Sequence, residues 1–331
     1  MTIPAHTTLD ISNGGTISTD SFPKRIVIDP ELELPNKDLR YQVTSWTLGR
    51  LERLAKSRLE ISKLTKEDLN RWQSREKGLI GGIAQSVRAS SEIEGEVVYV
   101  EKAEIPPFPT TSKEEELGVS DEEFERRKIA GDDIYDAYIW ALNHEAHQLL
   151  SIDFILELHR KMFARAYPFS AGQLKNEGIV IKGAPYYVTT VSPKKAREYL
   201  RNMTARMQHQ CEQAHKGRYN HFLLAGEFVL DFLAIHPFED GNGRFARLLS
   251  TYLLEKAGYH FPRFYPLDNV IRERRAEYYE RLFMAQSGWM TTSEDLTPWM
   301  NFYIECVEVQ CSRTMEYLNK KNLQEEIFYV T

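Results

Sequence analysis

The sequence predicts a mainly α-helical protein with one small β-hairpin. Three observations lead to this prediction. Apolar residues recur at helical spacing over most of the chain, helix-capping residues precede several of these runs, and one segment is rich in β-forming residues. The 331 residues are 42% hydrophobic, which is enough for a packed core of one large or two modest domains.

Composition also excludes several classes of protein. A net charge of −6 argues against a protein that mainly binds nucleic acid, because such chains are usually basic. Three cysteines cannot form a disulfide framework. The first residues lack the pattern of a signal peptide, and no apolar run is long enough to span a membrane. We therefore expect a cytoplasmic protein without direct contacts to membrane or nucleic acid.

The chain divides into three regions. Residues 1–40 form a tail or arm rich in Thr, Ser and Gly, with one short strand expected within Arg25–Glu31. Residues 41–120 form a helical region that ends in a proline-rich connector, where three prolines in four positions exclude a helix. Residues 121–331 form the core, with the hairpin and the C-terminal helices.

The core elements follow in order from capping and periodicity. Helices are expected over about 121–147, 151–166, 193–213, 220–235, 242–258, 269–286 and 299–322. Ser151 precedes the second of these as an N-cap, and Thr297 followed by proline starts the last. The hairpin is expected over Ile179–Thr190, where two β-rich runs flank Lys-Gly-Ala-Pro.

The segment HPFEDGNGRFAR, from His236 to Arg247, carries the strongest functional signal. It joins the end of an apolar helix to the start of the next one. Gly241 and Gly243 permit backbone angles at which consecutive N–H groups converge on an anion. The N-terminus of the following helix adds free N–H groups and the positive end of its dipole. The backbone of this turn therefore suits a phosphate group.

The side chains of the same segment add the remaining parts of a di- or triphosphate site. Arg244 and Arg247 share one face of a helical turn, where both guanidinium groups can bind phosphate oxygens. Asp240 offers an oxygen ligand for Mg²⁺, and the amide of Asn242 can donate to a phosphate. His236 can be neutral near pH 7, as a general base must be. Each feature alone is common, but nine specified residues within twelve positions favour function over chance.

This segment resembles the HPFx(D/E)GNGRxxR signature of the Fic family and matches it at every specified position. The resemblance implies a Fic-type helical core over about 61–318 with an N-terminal helical extension. It also implies transfer of AMP from Mg-ATP to a Ser, Thr or Tyr hydroxyl of a target protein. In this picture His236 is the base, Asp240 holds Mg²⁺, and the five other residues bind phosphates: Gly241, Asn242, Gly243, Arg244 and Arg247.

The segment SSEIEG, residues 90–95, resembles the inhibitory (S/T)xxxE(G/N) motif that precedes the core in one class of the family. Its elements here are Ser90, Glu94 and Gly95. The resemblance implies that the Glu94 carboxylate pairs with Arg247 and takes the place of the γ-phosphate. Such a buried pair would act as a switch rather than as a source of stability.

Two further groups follow from the same resemblance. The hairpin is similar to the family's flap, which docks the target backbone by strand addition; its candidate residues are Ile179, Val180, Tyr186, Tyr187 and Val188. Tyr278, Tyr279 and Gln286 resemble a YYxxLxxAN stretch whose Tyr and Asn flank the adenine, with Gln in place of Asn here. Lys175 stands where relatives usually carry Arg.

Alternative functions remain open at the level of sequence. Glu94 could position a water for removal of AMP from a modified protein, which would make the chain a deAMPylase. A third interpretation is a non-catalytic nucleotide-sensing or interaction module. The presence of His236, Asp240 and Arg247 argues against it. The amphipathic flanking helices are also compatible with a homodimer.

Overall fold

The structure, a computed structural model, describes residues 25–27, 40–62, 77–101, 119–144, 150–183, 186–217 and 219–329. Most of the predicted tail and of the proline-rich connector lies outside these residues. The described helices are α1 (Ser45–Ser62), α2 (Lys77–Glu94), α3 (Asp121–Asn143), α4 (Ile152–Phe163), α5 (Pro193–His215), α6 (His221–Ile235), α7 (Asn242–Lys256), α8 (Leu267–Glu273), α9 (Arg275–Gln286) and α10 (Thr297–Tyr329). The strands are β1 (Arg25–Val27), β2 (Val180–Gly183) and β3 (Tyr186–Thr189).

Helix α6 is the centre of the core. Every residue from Phe222 to Ile235 is buried, as expected for a helix that is apolar on all sides. It packs against α5, α7 and α10. Asn220 caps its N-terminus by accepting hydrogen bonds from the N–H groups of Phe222 and Leu223. Because α6 is enclosed by the core, the backbone of His236, which directly follows the helix, is held in a fixed position.

One charged residue inside α6 is neutralised by neighbouring cations. Asp231 pairs with Arg40, just before α1, at 2.7 Å and with Arg206 of α5, and it accepts a hydrogen bond from Trp289. Burial would raise the pKa of Asp231, but the two arginines outweigh burial and hold this pKa below its usual value. This buried pairing ties the start of α1 to the core.

The three strands form a small sheet in which β3 lies between β1 and β2. Strand β2 is antiparallel to β3, as a hairpin requires, and β1 pairs with the other edge of β3 in parallel. Ile26 and Ile181 are both in register with Val188. Val188 is buried, whereas Tyr187 on the opposite face is 44% exposed, as the period of a strand requires.

Helix α2 packs on the core against α3, α7 and α8. Its buried Ser86 hydroxyl contacts the Tyr138 hydroxyl of α3 at 2.9 Å and the Asp268 carboxylate of α8. The segment that follows α2 packs closely on α3, where an added Cβ at Gly131 would lie 1.9 Å from the Tyr99 carbonyl oxygen. These contacts fix the end of α2, which carries Glu94.

The predicted fold class is confirmed: the protein is mainly helical with one hairpin. The short strand expected within Arg25–Glu31 occurs as β1. The single helix expected over 269–286 is wrong in detail, because the backbone leaves the helical region at Arg274 (φ −115°, ψ 29°) and separates α8 from α9. The Arg274 side chain is held there by Glu277 and Glu305. In the described part of the chain, no helix is both long and apolar enough to cross a membrane.

We predict that Gly131→Ala lowers the free energy of unfolding by about 2 kcal/mol, because its Cβ overlaps the Tyr99 carbonyl. The matched control is Gly49→Ala in α1, where an added Cβ meets only the Arg53 side chain at 3.6 Å. This control should instead stabilise by about 0.5–1 kcal/mol through helix propensity. Urea denaturation measures both changes, and equal stabilisation by the two substitutions would contradict the close packing.

Candidate active site

The loop after α6 has a backbone that few residues can adopt. His236 caps α6 in the left-handed conformation (φ 50°, ψ 62°), which is uncommon for residues other than glycine. Gly241, the residue before α7, has φ 76°. An added Cβ at Gly241 would lie 2.3 Å from Cζ of Phe163, so both its conformation and its surroundings require glycine.

Aromatic packing against α4 holds this loop in place. Phe238 is fully buried and stacks on His159 with ring centroids 3.6 Å apart. Gly172 N–H donates to Nδ1 of His159 at 3.0 Å, so the proton resides on Nε2, which donates to the Asp240 carbonyl at 3.1 Å. Burial lowers the pKa of His159 to about 4, so this imidazole is neutral at physiological pH.

Asn242 closes the loop onto itself. Its Oδ1 accepts from the N–H of Phe238 at 3.0 Å, and its Nδ2 donates to the carbonyl of Phe238 at 2.9 Å. The side chain is buried. The sequence predicts that this amide donates to a phosphate, but in the structure it binds the loop backbone instead. What Asn242 presents at the start of α7 is its main-chain N–H.

Arg244 is a buried cation that is paired with two carboxylates. It contacts Glu96 at 2.5 Å and Asp240 at 3.1 Å, and its guanidinium lies over the ring of Phe163. Glu96 belongs to the segment immediately after α2. The predicted metal ligand Asp240 is mostly exposed and also accepts from the N–H of Gly241 at 2.6 Å.

Arg247 is also fully enclosed, with 2% of its surface exposed. It donates to Ser90 Oγ at 2.8 Å, to the Ser90 carbonyl at 2.7 Å and to Glu94 Oε1 at 2.8 Å. Its Nε also lies 3.2 Å from the buried carboxylate of Asp268. Burial alone would lower the pKa of Arg247, but the charges of Glu94 and Asp268 outweigh it and keep the pKa above its usual value.

Glu94 reaches this position because two glycines leave room for it. Gly95 follows α2 with φ 87° and ends the helix, and Glu96 N–H then donates to the Ser91 carbonyl at 3.0 Å. An added Cβ at Gly243 would lie 2.0 Å from Glu94 Oε1. Any larger residue at 243 would therefore displace the Glu94 carboxylate.

A cavity of about 90 Å³ opens beside this ion pair. Its walls are largely apolar and come from the hairpin, α6 and α9: Ile181, Val188, Leu233, Leu282 and Phe283. Glu94, His236, Gly243, Tyr278, Tyr279 and Gln286 complete the lining. A mainly apolar cavity with a few convergent polar groups is typical of a small-molecule site.

His236 is one of the residues that line this cavity. Burial lowers the pKa of His236 to about 4, and the charge of Lys175 lowers it further, whereas Glu94 and Asp240 act in the opposite direction. The imidazole is therefore neutral at pH 7. A neutral imidazole facing a cavity can accept a proton from a bound group.

Of the other predicted residues on the hairpin and α9, Val188, Tyr279 and Gln286 line the cavity. Val180 and Tyr187 are exposed and Ile179 is half-buried, whereas only the main chain of Tyr186 is described. The Tyr279 hydroxyl donates to the Ile93 carbonyl at 3.0 Å and lies 3.4 Å from Glu94 Oε2. Tyr279 therefore contacts the end of α2 as well as the cavity.

A family model described as the Fic/DOC family matches residues 149–254, which include α4, the hairpin and the loop from His236 to Arg247. The chain contains a Fic domain. Protein adenylyltransferase fic-1 of Caenorhabditis briggsae is 30% identical over 173 residues, which cover 52% of this chain and 30% of that protein. Protein adenylyltransferase Fic of Drosophila virilis is 30% identical over 184 residues, which cover 56% and 34%. The chain thus spans about a third of the length of these curated relatives.

Solved structures share the fold of this Fic domain and its flanking helices. A Fic family protein from Desulfovibrio desulfuricans G20 has a TM-score of 0.63 at 16% identity, covering 85% of this chain and 77% of that one. Fic-1 (residues 134–508) from C. elegans has a TM-score of 0.59 at 24% identity, covering 83% and 73%. At these identities the similarity shows the fold.

Four residues around the Fic loop have no assigned role in the sequence prediction: Glu96, His159, Lys175 and Asp268. Most of them lie far from the loop in sequence and reach it only through tertiary packing. The one available signal is at Glu96, a second carboxylate two residues after Glu94, but the glycine between them ends the helical periodicity.

We predict that the stability contributed by His159 depends on pH. Its folded-state pKa of about 4 lies below the ordinary 6.5, so the unfolded chain takes up the proton first and stability is lost as pH falls from 6.5 towards 4. The difference in unfolding free energy between wild type and His159→Gln should shrink by about 2 kcal/mol between pH 7 and pH 5. Urea denaturation at both pH values measures it, and an unchanged difference would show that folding does not lower the pKa of His159.

Proposed function

We propose that this chain is a protein adenylyltransferase that Glu94 holds in an inhibited state. The observation that carries the proposal is the ion pair between the partly exposed Glu94 and the buried Arg247, which lies beside a cavity lined by a neutral His236. The names of the curated relatives support the same reaction class, because they are protein adenylyltransferases. The transferred group would be the AMP of ATP, and the acceptor a Ser, Thr or Tyr hydroxyl of a target protein.

The proposed reaction uses His236 as a general base. The acceptor oxygen attacks the α-phosphorus of ATP, and its proton moves to the neutral imidazole. The bond from this phosphorus to the bridging oxygen breaks, and pyrophosphate leaves with that oxygen. The N–H groups at the start of α7, together with Arg244 and Arg247, would stabilise the charge on the phosphates.

Asp240 is the residue that would hold Mg²⁺. Magnesium is usually bound by one or two carboxylates together with substrate phosphates. Asp240 fits this chemistry because its carboxylate is 60% exposed at the start of the phosphate-binding turn. The ion would neutralise phosphate charge, and Arg244, which lies 3.1 Å from Asp240, would face the same phosphates.

Inhibition would follow from competition for Arg247. A triphosphate needs the outer guanidinium nitrogen of Arg247, and Glu94 Oε1 already accepts a hydrogen bond from that nitrogen at 2.8 Å. Glu96 engages Arg244 in the same way from two residues further along the chain. Carboxylates from one short segment therefore cover both arginines of the loop, and ATP could not adopt the productive position until Glu94 moves away.

The hairpin would dock the target by strand addition. Because β1 pairs with one edge of β3, the outer edge of β2 is the edge of the hairpin that no described strand covers. An extended target segment can add there through main-chain hydrogen bonds, independently of its sequence. The exposed Val180 and Tyr187 lie on this hairpin. The apolar cavity walls with Tyr279 and Gln286 would take the adenine.

We predict that Glu94→Gly raises AMP transfer at least about tenfold, since removing the competing carboxylate frees a buried cation for the phosphates. Incubation with Mg-ATP followed by mass spectrometry measures the gain of one adenylate per modified side chain. Glu92→Gln is the matched control, because Glu92 lies on the same helix but pairs with Arg272 at the surface. It should leave the rate unchanged.

The same assay separates the competing explanations. His236→Ala in the Glu94→Gly background should abolish transfer while nucleotide still binds. Equal rates for wild type and Glu94→Gly would remove the inhibitory role of Glu94. If Glu94→Gly instead lost the ability to remove AMP from a pre-modified protein and gained no transfer, the chain would be a hydrolase and the proposal would be wrong.

A further inference from the structure

Lys175 is a buried lysine that forms no ion pair in the described part of the chain. It is 3% exposed and lies between α4 and the hairpin. Its Nζ donates to the Thr190 hydroxyl at 2.8 Å and to the Ile235 carbonyl at 3.1 Å, and both acceptors are neutral. Burial of an ammonium group without a carboxylate partner costs free energy. We therefore asked which contacts of Lys175 could offset this cost.

Lys175 binds the backbone on both sides of His236. Its side chain holds the carbonyl of Ile235, and its main-chain N–H donates to the carbonyl of Pro237 at 2.9 Å. An isolated antiparallel bridge between Leu174 and Phe238 continues the same contact. The residue enclosed by these bonds has the left-handed backbone that non-glycine residues avoid. Lys175 is thus placed to maintain that conformation.

The ammonium charge also acts on the imidazole. The Ile235 carbonyl is at the C-terminus of α6, the negative end of the helix dipole, where a cation is favourable. The charge of Lys175 opposes protonation of His236, whereas Glu94 and Asp240 favour it. Burial lowers the pKa of Lys175 itself to about 7. When Lys175 is protonated, its charge therefore adds to burial in keeping the base in its neutral form.

The same ammonium connects the loop to the hairpin. Thr190, which accepts from Lys175, donates through its hydroxyl and its N–H to the Ile179 carbonyl, both at 3.1 Å. These two bonds close the base of the hairpin. A change in the hairpin would reach the backbone of His236 through Thr190 and Lys175.

We propose that Lys175 is the positioning residue of this site, which fixes the peptide groups on either side of His236 and joins them to the base of the hairpin. For its kinetic consequences this inference rests on the proposed adenylyl transfer. Its structural part concerns the state of the His236 ring and can be measured without any reaction.

The kinetic test uses the full chain carrying Glu94→Gly, so that transfer is measurable. Lys175→Met should lower kcat about 10- to 100-fold with little change in the KM for ATP, because the base is misplaced while the phosphate contacts remain. Lys175→Arg keeps the charge and the donors and should recover kcat to within a few-fold. The matched control is Lys256→Met, since Lys256 similarly binds the Leu142 and His144 carbonyls at the end of α3. It should leave kcat unchanged.

The independent test is an NMR titration of the His236 imidazole, assigned by its absence in His236→Ala. In Lys175→Met the midpoint should move up, towards the ordinary range, because loss of a nearby positive charge favours the imidazolium ion. Lys175→Arg and Lys256→Met should leave the midpoint in place. If Lys175→Met does not fold, Lys175→Gln provides the same comparison.

These outcomes decide the proposal. An unchanged midpoint and kcat in Lys175→Met, or equal defects in Lys175→Met and Lys175→Arg, would overturn it. If no variant transfers AMP but the midpoint moves as expected, the proposed function is wrong while the positioning role stands.

Discussion

A buried guanidinium must be neutralised, and this requirement at Arg247 governs the arrangement of the site. Leaving such a cation without an anion would cost about 3–5 kcal/mol. Two carboxylates meet the need in different ways. Asp268 is fully buried on α8, whereas the Glu94 side chain is 30% exposed at the end of α2. Asp268 can stay in place while Glu94 is exchanged for another anion such as a phosphate, so the architecture suits a replaceable partner.

The surrounding structure allows Glu94 to be replaced by a phosphate through movement of its side chain alone. Helix α2 is held by buried contacts of Ser86, and the Ile93 carbonyl accepts from Arg275 at 2.6 Å and from Tyr279 at 3.0 Å. The Glu94 carboxylate occupies space that the absence of a side chain at Gly243 leaves open. Movement of one side chain therefore frees Arg247, whereas movement of the whole helix would break many buried bonds. The base on the opposite wall is fixed separately, through Lys175 and the end of α6.

Sequence predicts the parts of this molecule that local chemistry determines. Periodicity and capping locate helices such as α4, where Ser151 accepts a hydrogen bond from the Phe154 N–H at 3.0 Å. The motif from His236 to Arg247 identifies the loop because this combination of residue types rarely occurs by chance within twelve positions. Sequence does not predict Asn242 binding Phe238, the Arg244–Glu96 pair or the break at Arg274. Each of these features depends on how the surrounding elements pack, and the spacing of residues along the sequence does not indicate that packing.

The central claim is that Glu94 and a nucleotide triphosphate compete for Arg247. Calorimetric titration with a non-hydrolysable ATP analogue and Mg²⁺ tests it most directly, on wild type, Glu94→Gly, Arg247→Ala and the double variant. The account predicts tighter binding by Glu94→Gly than by wild type, and no such gain once Arg247 is absent. Equal affinities for wild type and Glu94→Gly, or a gain that survives Arg247→Ala, would contradict it.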